Sequence, residues 1–161
     1  QRKYLSITSK MFLHVKNKIK IFVRMAVTLK GASILKTRIY YDDTDAGGVV
    51  YHANYLKFCE RARSDLFYKH GKSPSVNGGH FVVRHLEADY FKPAKLGDTI
   101  DVRNELLEMK NASLRLRQDI FKQEEKLFSM TSTLAYVKEG KPCKIDEETK
   151  AFFISVFKEL E

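Results

Sequence analysis

The chain has 161 residues, 43% of them hydrophobic and 30% charged. These figures suit one globular domain with a core of its own and exclude collagen-like, mucin-like or acidic disordered architectures. Its two cysteines, Cys59 and Cys143, are far apart and have no CxxC or CxxH neighbour. Neither a disulfide-stapled secreted module nor a zinc site is expected, and a reducing, cytoplasmic setting is.

The net charge of +9 is unevenly spread. Residues 1–38 hold ten Lys or Arg and no Asp or Glu, whereas the rest of the chain holds nineteen basic and twenty acidic residues. The basic character therefore belongs to an arm and not to the body. Nucleic-acid binding is not expected, because it needs a basic face on a folded domain. Residues 1–33 read as this arm. Lys16, Lys18, Lys20 and Arg24 break its apolar residues, which argues against a membrane span or a secretory signal. Three readings stay open: a basic segment lying on an anionic membrane, an organellar transit peptide, or sequence upstream of the true start.

The body, 34–161, opens with an alternating strand from Ile34 to Tyr41. Asp42 to Gly48 is rich in turn formers. Tyr55, Cys59, Ala62 and Leu66 then form one apolar stripe, predicting a helix from about His52 to Lys69. On it Glu60 and Arg63, three apart, are expected to pair, and Cys59 to be a core thiol. Gly71, Pro74, Gly78 and Gly79 mark a loop. Four strands follow: Phe81–Phe91, Thr99–Met109, one carrying Leu114, Leu116 and Ile120, and Leu127–Val137. Asp146 to Leu160 reads as a terminal amphipathic helix. One long helix among antiparallel strands predicts an α+β sheet with the helix on one face. A subunit partner is one way to cover the other face.

The stretch with chemical content runs from Asp42 through Asp43, Thr44, Asp45, Ala46, Gly47 and Gly48 to Tyr51, His52, Ala53 and Asn54. It sets a carboxylate on a glycine-containing loop that leads into a helix. A helix start offers free N–H groups and the positive end of a dipole, which can hold an oxyanion. A carboxylate beside it can attack a carbonyl or activate water. Asp-Gly loops before helices are also common caps, so the residues alone leave catalysis and capping both open.

The run Tyr-Tyr-Asp-Asp-Thr-Asp-Ala-Gly-Gly-Val-Val-Tyr-His-Ala-Asn-Tyr, continuing into Glu60-Arg61-Ala62-Arg63, resembles the signature of the 4-hydroxybenzoyl-CoA thioesterase family, in its Tol-Pal-associated, YbgC-like branch. Leu86-Glu87-Ala88-Asp89-Tyr90, with Pro93-Ala94 and Leu96-Gly97-Asp98, resembles the same branch. The resemblance covers roughly residues 36–155. It implies a hot-dog fold, an antiparallel sheet wrapped around a long central helix, and homodimers or homotetramers with active sites between subunits. It implies an acyl-CoA thioesterase acting on short-chain acyl-CoA, with Asp45 as the catalytic carboxylate and the His52 N–H as oxyanion donor. Gly48, Tyr51 and Asn54 are the expected substrate-binding neighbours. No metal and no cofactor are implied, since coenzyme A is part of the substrate. A carrier-protein contact and a peripheral contact at the inner membrane stay open. The competing reading is a non-catalytic hot-dog scaffold docked to an anionic membrane by its basic arm.

Overall fold

The computed structural model describes residues 29–158. Of the basic arm expected over residues 1–33, residues 1–28 lie outside the described residues, as do the last residues of the terminal helix, whereas 29–33 already belong to the first strand. Strand β1 is Leu29–Arg38, followed by a short 3-10 turn at Tyr41–Asp43 and helix α1 at His52–Lys69. Then come β2 (Ser75–Val76), β3 (Gly79–Tyr90), β4 (Thr99–Met109), β5 (Ser113–Lys122), β6 (Glu125–Lys138), β7 (Lys141–Pro142) and helix α2 (Glu147–Lys158). The antiparallel sheet runs β1-β4-β5-β6-β3-β2, with β7 paired to β6. Among the described residues no helix is long and apolar enough to cross a membrane.

The first strand ends earlier than its alternation predicts. Past Arg38 the backbone N–H of Tyr40 donates to the Asp43 carboxylate at 2.9 Å, and Asp43 N–H donates to the Tyr40 carbonyl at 3.1 Å. This reciprocal pair bends Tyr41–Asp43 into a 3-10 turn and turns the chain toward α1. The expected loop after α1 also holds a strand: Ser75 and Val76 pair with His80 and Gly79. Gly79 is needed there because a Cβ would overlap the Tyr136 ring, whose hydroxyl donates to the Val76 carbonyl at 2.6 Å.

α1 takes the predicted span, and its stripe of Tyr55, Phe58, Cys59, Ala62 and Leu66 is buried. Each large apolar side chain so buried contributes about 1.5–3 kcal/mol. Opposite it, the inward residues of β4, β5 and β6 alternate: Ile100 and Val102, Leu114 and Leu116, Met130 and Leu134 are all buried. One polar layer interrupts this surface. Gln118, fully buried on β5, donates to the Cys59 carbonyl at 2.8 Å and to the side chain of Asn104 on β4. Its own carbonyl accepts from Arg63 Nη1 at 2.7 Å. Buried amides must find partners, so this chain of bonds fixes α1 in rotation on the sheet. The expected Glu60–Arg63 pair is thus replaced: Arg63 turns inward to Gln118, and Glu60 accepts from Ser64 Oγ at 2.6 Å. Cys59 is buried as expected, and burial pushes its thiol up to about 12.

Candidate active site

The loop between the 3-10 turn and α1 is folded by its own backbone. Asp45 N–H donates to the Val49 carbonyl at 2.9 Å, and Gly48 N–H to the Asp45 carbonyl at 3.0 Å. Gly48 closes this turn with φ +74°, the left-handed region that glycine enters without strain. The Asp45 carboxylate is exposed, and its Oδ1 accepts from the Gly47 N–H at 2.8 Å. A Cβ at Gly47 would lie 3.1 Å from that same oxygen. The glycine therefore both orients the carboxylate and leaves room for it.

The loop is tied to the helix start on its other side. Tyr51 N–H donates to the Asp43 carbonyl at 2.9 Å, and so does the Asn54 side-chain amide, at 2.9 Å. Asn54 is buried by this role, so it sets the angle between loop and helix. Tyr51 is the N-cap, but no side chain caps the helix and its first turn carries no acid. The N–H of Asn54 is taken by the Tyr51 carbonyl at 2.8 Å. Those of His52 and Ala53 have no acceptor within the helix. The positive end of the α1 dipole is left open beside the Asp45 loop.

Asp45 and His52 share a cleft of about 270 Å³ with Val49, Val50, Tyr55, Tyr90 and Lys92. Gly48, Tyr51 and Asn54 are not on its wall. Gly48 shapes the loop, Tyr51 is exposed with its ring centre 4.3 Å from that of His52, and Asn54 braces from below. The structure adds an aromatic floor that joins residues distant in sequence. Tyr90 donates its hydroxyl to the His52 carbonyl at 3.0 Å, and Tyr55 accepts from the Ala94 N–H at 2.8 Å. Both rings pack on Phe128, with centroids 4.9 and 5.2 Å away. Burial pushes both phenols up, for Tyr55 against the opposing pull of the Ala94 N–H, so both stay neutral hydroxyls. The available signal for Tyr90 was its place in the Leu86–Tyr90 block. Among the described residues no group of three His, Cys, Asp or Glu side chains is placed to hold a metal ion. Asp43 is buried as a brace, and His80, Arg84 and His85 lie on β3 away from the cleft wall.

The arrangement suits attack on a carbonyl. A carbonyl oxygen placed at the open helix start gains N–H donors as negative charge develops on it. The Asp45 carboxylate is free on one oxygen to attack or to take a proton from water.

Comparison with known proteins places the chain in a family. The thioesterase superfamily model matches residues 47–129. The acyl-CoA thioesterase YbgC of Helicobacter pylori is 47% identical over 87 residues, 54% of this chain, and the chain spans 65% of that protein's length. The acyl-CoA thioesterase YbgC of Haemophilus influenzae is 40% identical over 122 residues, 72% of this chain and 90% of its own. A crystal structure of a probable thioesterase from Bartonella henselae superposes with a TM-score of 0.68 at 31% identity, covering 71% of this chain and 99% of that one. The chain belongs to the thioesterase superfamily, in its YbgC-like group, and its curled sheet around α1 is the hot-dog fold.

Proposed function

We propose that the chain hydrolyses acyl-CoA thioesters to a free acid and CoA, with short-chain acyl groups among its substrates. The observation that carries this reading is the meeting of the Asp45 carboxylate with the uncapped start of α1 in one cleft. The carbonyl oxygen sits on the His52 N–H. Asp45 either attacks the carbonyl carbon, giving an acyl anhydride that water then opens, or takes a proton from an attacking water. In both routes a C–O bond forms, the C–S bond breaks and CoA leaves as a thiolate that acquires a proton. Gly48 and Tyr51 flank the path of the thioester, and Asn54 holds the loop in place. The working unit is a homodimer, or a pair of homodimers. Support comes from β3, where β2 covers only Gly79 and His80 of the outer edge.

The test is free-thiol release from acetyl-, butyryl-, octanoyl-, palmitoyl- and benzoyl-CoA. Turnover of at least one ester class is expected. A folded protein that releases no thiol from any of them contradicts the reading.

A further inference from the structure

The Tyr90 hydroxyl donates to the His52 carbonyl at 3.0 Å. Folding alone does not call for this bond. At the start of a helix the unsatisfied groups are N–H groups, whereas a first-turn carbonyl already accepts from the N–H four residues on. Nor does the ring need the hydroxyl for its packing. Tyr90 stands edge to face with Tyr55 and Phe128, at centroid distances of 5.6 and 4.9 Å, and the residue is half exposed. A phenylalanine would pack there equally well, and water would satisfy a half-exposed hydroxyl.

The bond is nevertheless held firmly. Tyr90 ends β3, paired with Phe128 of β6, and the N–H of the next residue, Phe91, donates to the Leu127 carbonyl at 2.9 Å. The backbone under the phenol is thus fixed on the sheet, and its ring is fixed by Tyr55 and Phe128. The hydroxyl reaches α1 from a preset position.

The group it touches has a second end. The His52 carbonyl belongs to the peptide that links His52 to Ala53, and the N–H of that peptide is Ala53's. In a helix the two lie along the axis in opposite directions, the carbonyl toward the C-terminus and the N–H out of the helix start. The Ala53 N–H has no acceptor among the described residues, so it is open at the same helix start as that of His52. An amide is one conjugated unit. A donor on its oxygen draws electron density from its nitrogen and strengthens its N–H as a donor, by about 10–30% per bond.

Resting on the thioesterase reading, we propose that the Ala53 N–H is a second oxyanion donor beside that of His52, and that Tyr90 is the positioning residue that orients and polarises the peptide carrying it. Tyr90 acts through that peptide and not on the thioester itself. As negative charge develops on the carbonyl oxygen, two N–H groups meet it, and the second is stronger for the bond behind it.

The experiment compares kcat and KM for the preferred acyl-CoA in wild type, in Tyr90→Phe, and in Tyr90→Phe combined with His52→Pro or with Ala53→Pro. Tyr90→Phe retains the ring and is expected to unfold at a midpoint close to wild type. One oxyanion donor is worth about 10²–10³-fold in kcat and the phenol supplies about 10–30% of one, so kcat should fall about 2–8-fold while KM changes by less than about twofold. Proline is tolerated in the first turn of a helix. The Tyr90→Phe loss should persist on His52→Pro, which keeps the Ala53 N–H, and vanish on Ala53→Pro, which removes it. Wild-type kcat in folded Tyr90→Phe overturns the proposal. So does a rise in KM alone, which puts the hydroxyl on the bound substrate. An equal effect on both proline backgrounds, retained or lost, also overturns it.

A binding measurement separates this from turnover. Asp45→Asn, with and without Tyr90→Phe, is loaded with acetyl-, butyryl- or benzoyl-CoA labelled with carbon-13 at the thioester carbonyl, and the carbonyl stretch is read by difference infrared spectroscopy. The bound stretch should lie below its value in water and move back toward that value when Tyr90→Phe is added. An identical stretch in both proteins overturns the proposal and leaves hydrolysis standing. If wild type hydrolyses no ester but the stretch shifts as expected, the two donors stand as a carbonyl-binding site and the hydrolytic reading falls. A protein that binds none of the labelled esters overturns both.

Discussion

The two halves of α1 face cavities of nearly equal volume and different lining. At the N-terminal end, about 270 Å³ is bounded by an exposed carboxylate, an uncapped helix start and neutral phenols. At the far half, about 260 Å³ is walled mainly by phenylalanine and leucine, with Glu60, Arg63 and His80 at its polar side. The first is held by main-chain hydrogen bonds within the loop, by the Asp43 and Asn54 side chains that tie loop to helix, and by the hydrogen-bonded Tyr55 and Tyr90. The second is held by aromatic packing between α1, β3 and α2. The polar layer of buried Gln118 and Asn104, joined by the half-buried Arg63 at the edge of the second cavity, keeps α1 from rotating. Chemistry needs fixed dipoles and a carboxylate at atomic precision, whereas an apolar group needs only volume and exclusion of water.

Substitutions can break this contrast one end at a time. The largest effect after loss of Asp45 itself is expected from His52→Pro. Proline is well tolerated at the first position of a helix, and Tyr51, at φ −58° and ψ 131°, already has the extended backbone that a following proline requires. The substitution removes the N–H and should lower kcat roughly 10²–10³-fold. His52→Ala, which retains the N–H, should stay near wild type. Equal losses in both variants would move the role to the imidazole.

Gly47→Ala is a smaller perturbation of the same end. Its Cβ presses on Asp45 Oδ1 from 3.1 Å. Displacement of the carboxylate by a few tenths of an ångström should cost about 3–10-fold in kcat, with an unfolding midpoint close to wild type.

At the apolar end, α2 is the element to weaken. Asp146 caps it, accepting from the Thr149 N–H and hydroxyl at 2.8 Å each and from Asn77 at 3.0 Å. The Thr149 N–H, with the Thr149 hydroxyl and Asn77, holds the Asp146 carboxyl below its ordinary value, against the cost of burial. A depressed carboxylate stabilises the fold above its ordinary pKa, and that stability is lost as pH falls through the lowered value. Asp146→Ala should cost about 1 kcal/mol in urea unfolding at pH 7. The difference from wild type should shrink on acidification through the carboxylate range. The smallest effect concerns thiol access. With the Cys59 thiol buried and pushed up to about 12, iodoacetamide at pH 8 should modify Cys143 alone in the native protein and both cysteines after unfolding, as read by mass.

How much of this was legible in the sequence follows from how local each cause is. α1 took its predicted bounds because its apolar stripe and the glycine after it are local signals. The Asp45 loop was legible as a carboxylate before a helix, and the resemblance gave it a role. The end of β1 was not legible, because Ile39–Tyr41 continues the alternation and the bend depends on where the Asp43 side chain goes. β2 and β7, two residues each, are too short to show a period. The inward turn of Arg63 rests on Gln118, fifty-five residues away, while its expected partner Glu60 was the near neighbour. The polar layer itself left a trace, since Gln118 falls in phase with Leu114, Leu116 and Ile120. The aromatic floor joins Tyr55 to Tyr90 and Phe128, and no spacing rule brings those together.

We propose that Asp45 carries the reaction. The most direct measurement compares wild type with Asp45→Asn for thiol release from the preferred acyl-CoA, alongside calorimetric binding of the matching S-alkyl-CoA thioether. Asp45→Asn keeps the side-chain shape and an oxygen for the Gly47 N–H. It should fold, bind the thioether within a few-fold of wild type, and lose at least roughly 10²–10⁴ in kcat. Turnover within a few-fold of wild type, with binding intact, would contradict the account and leave the uncapped helix start without its carboxylate partner.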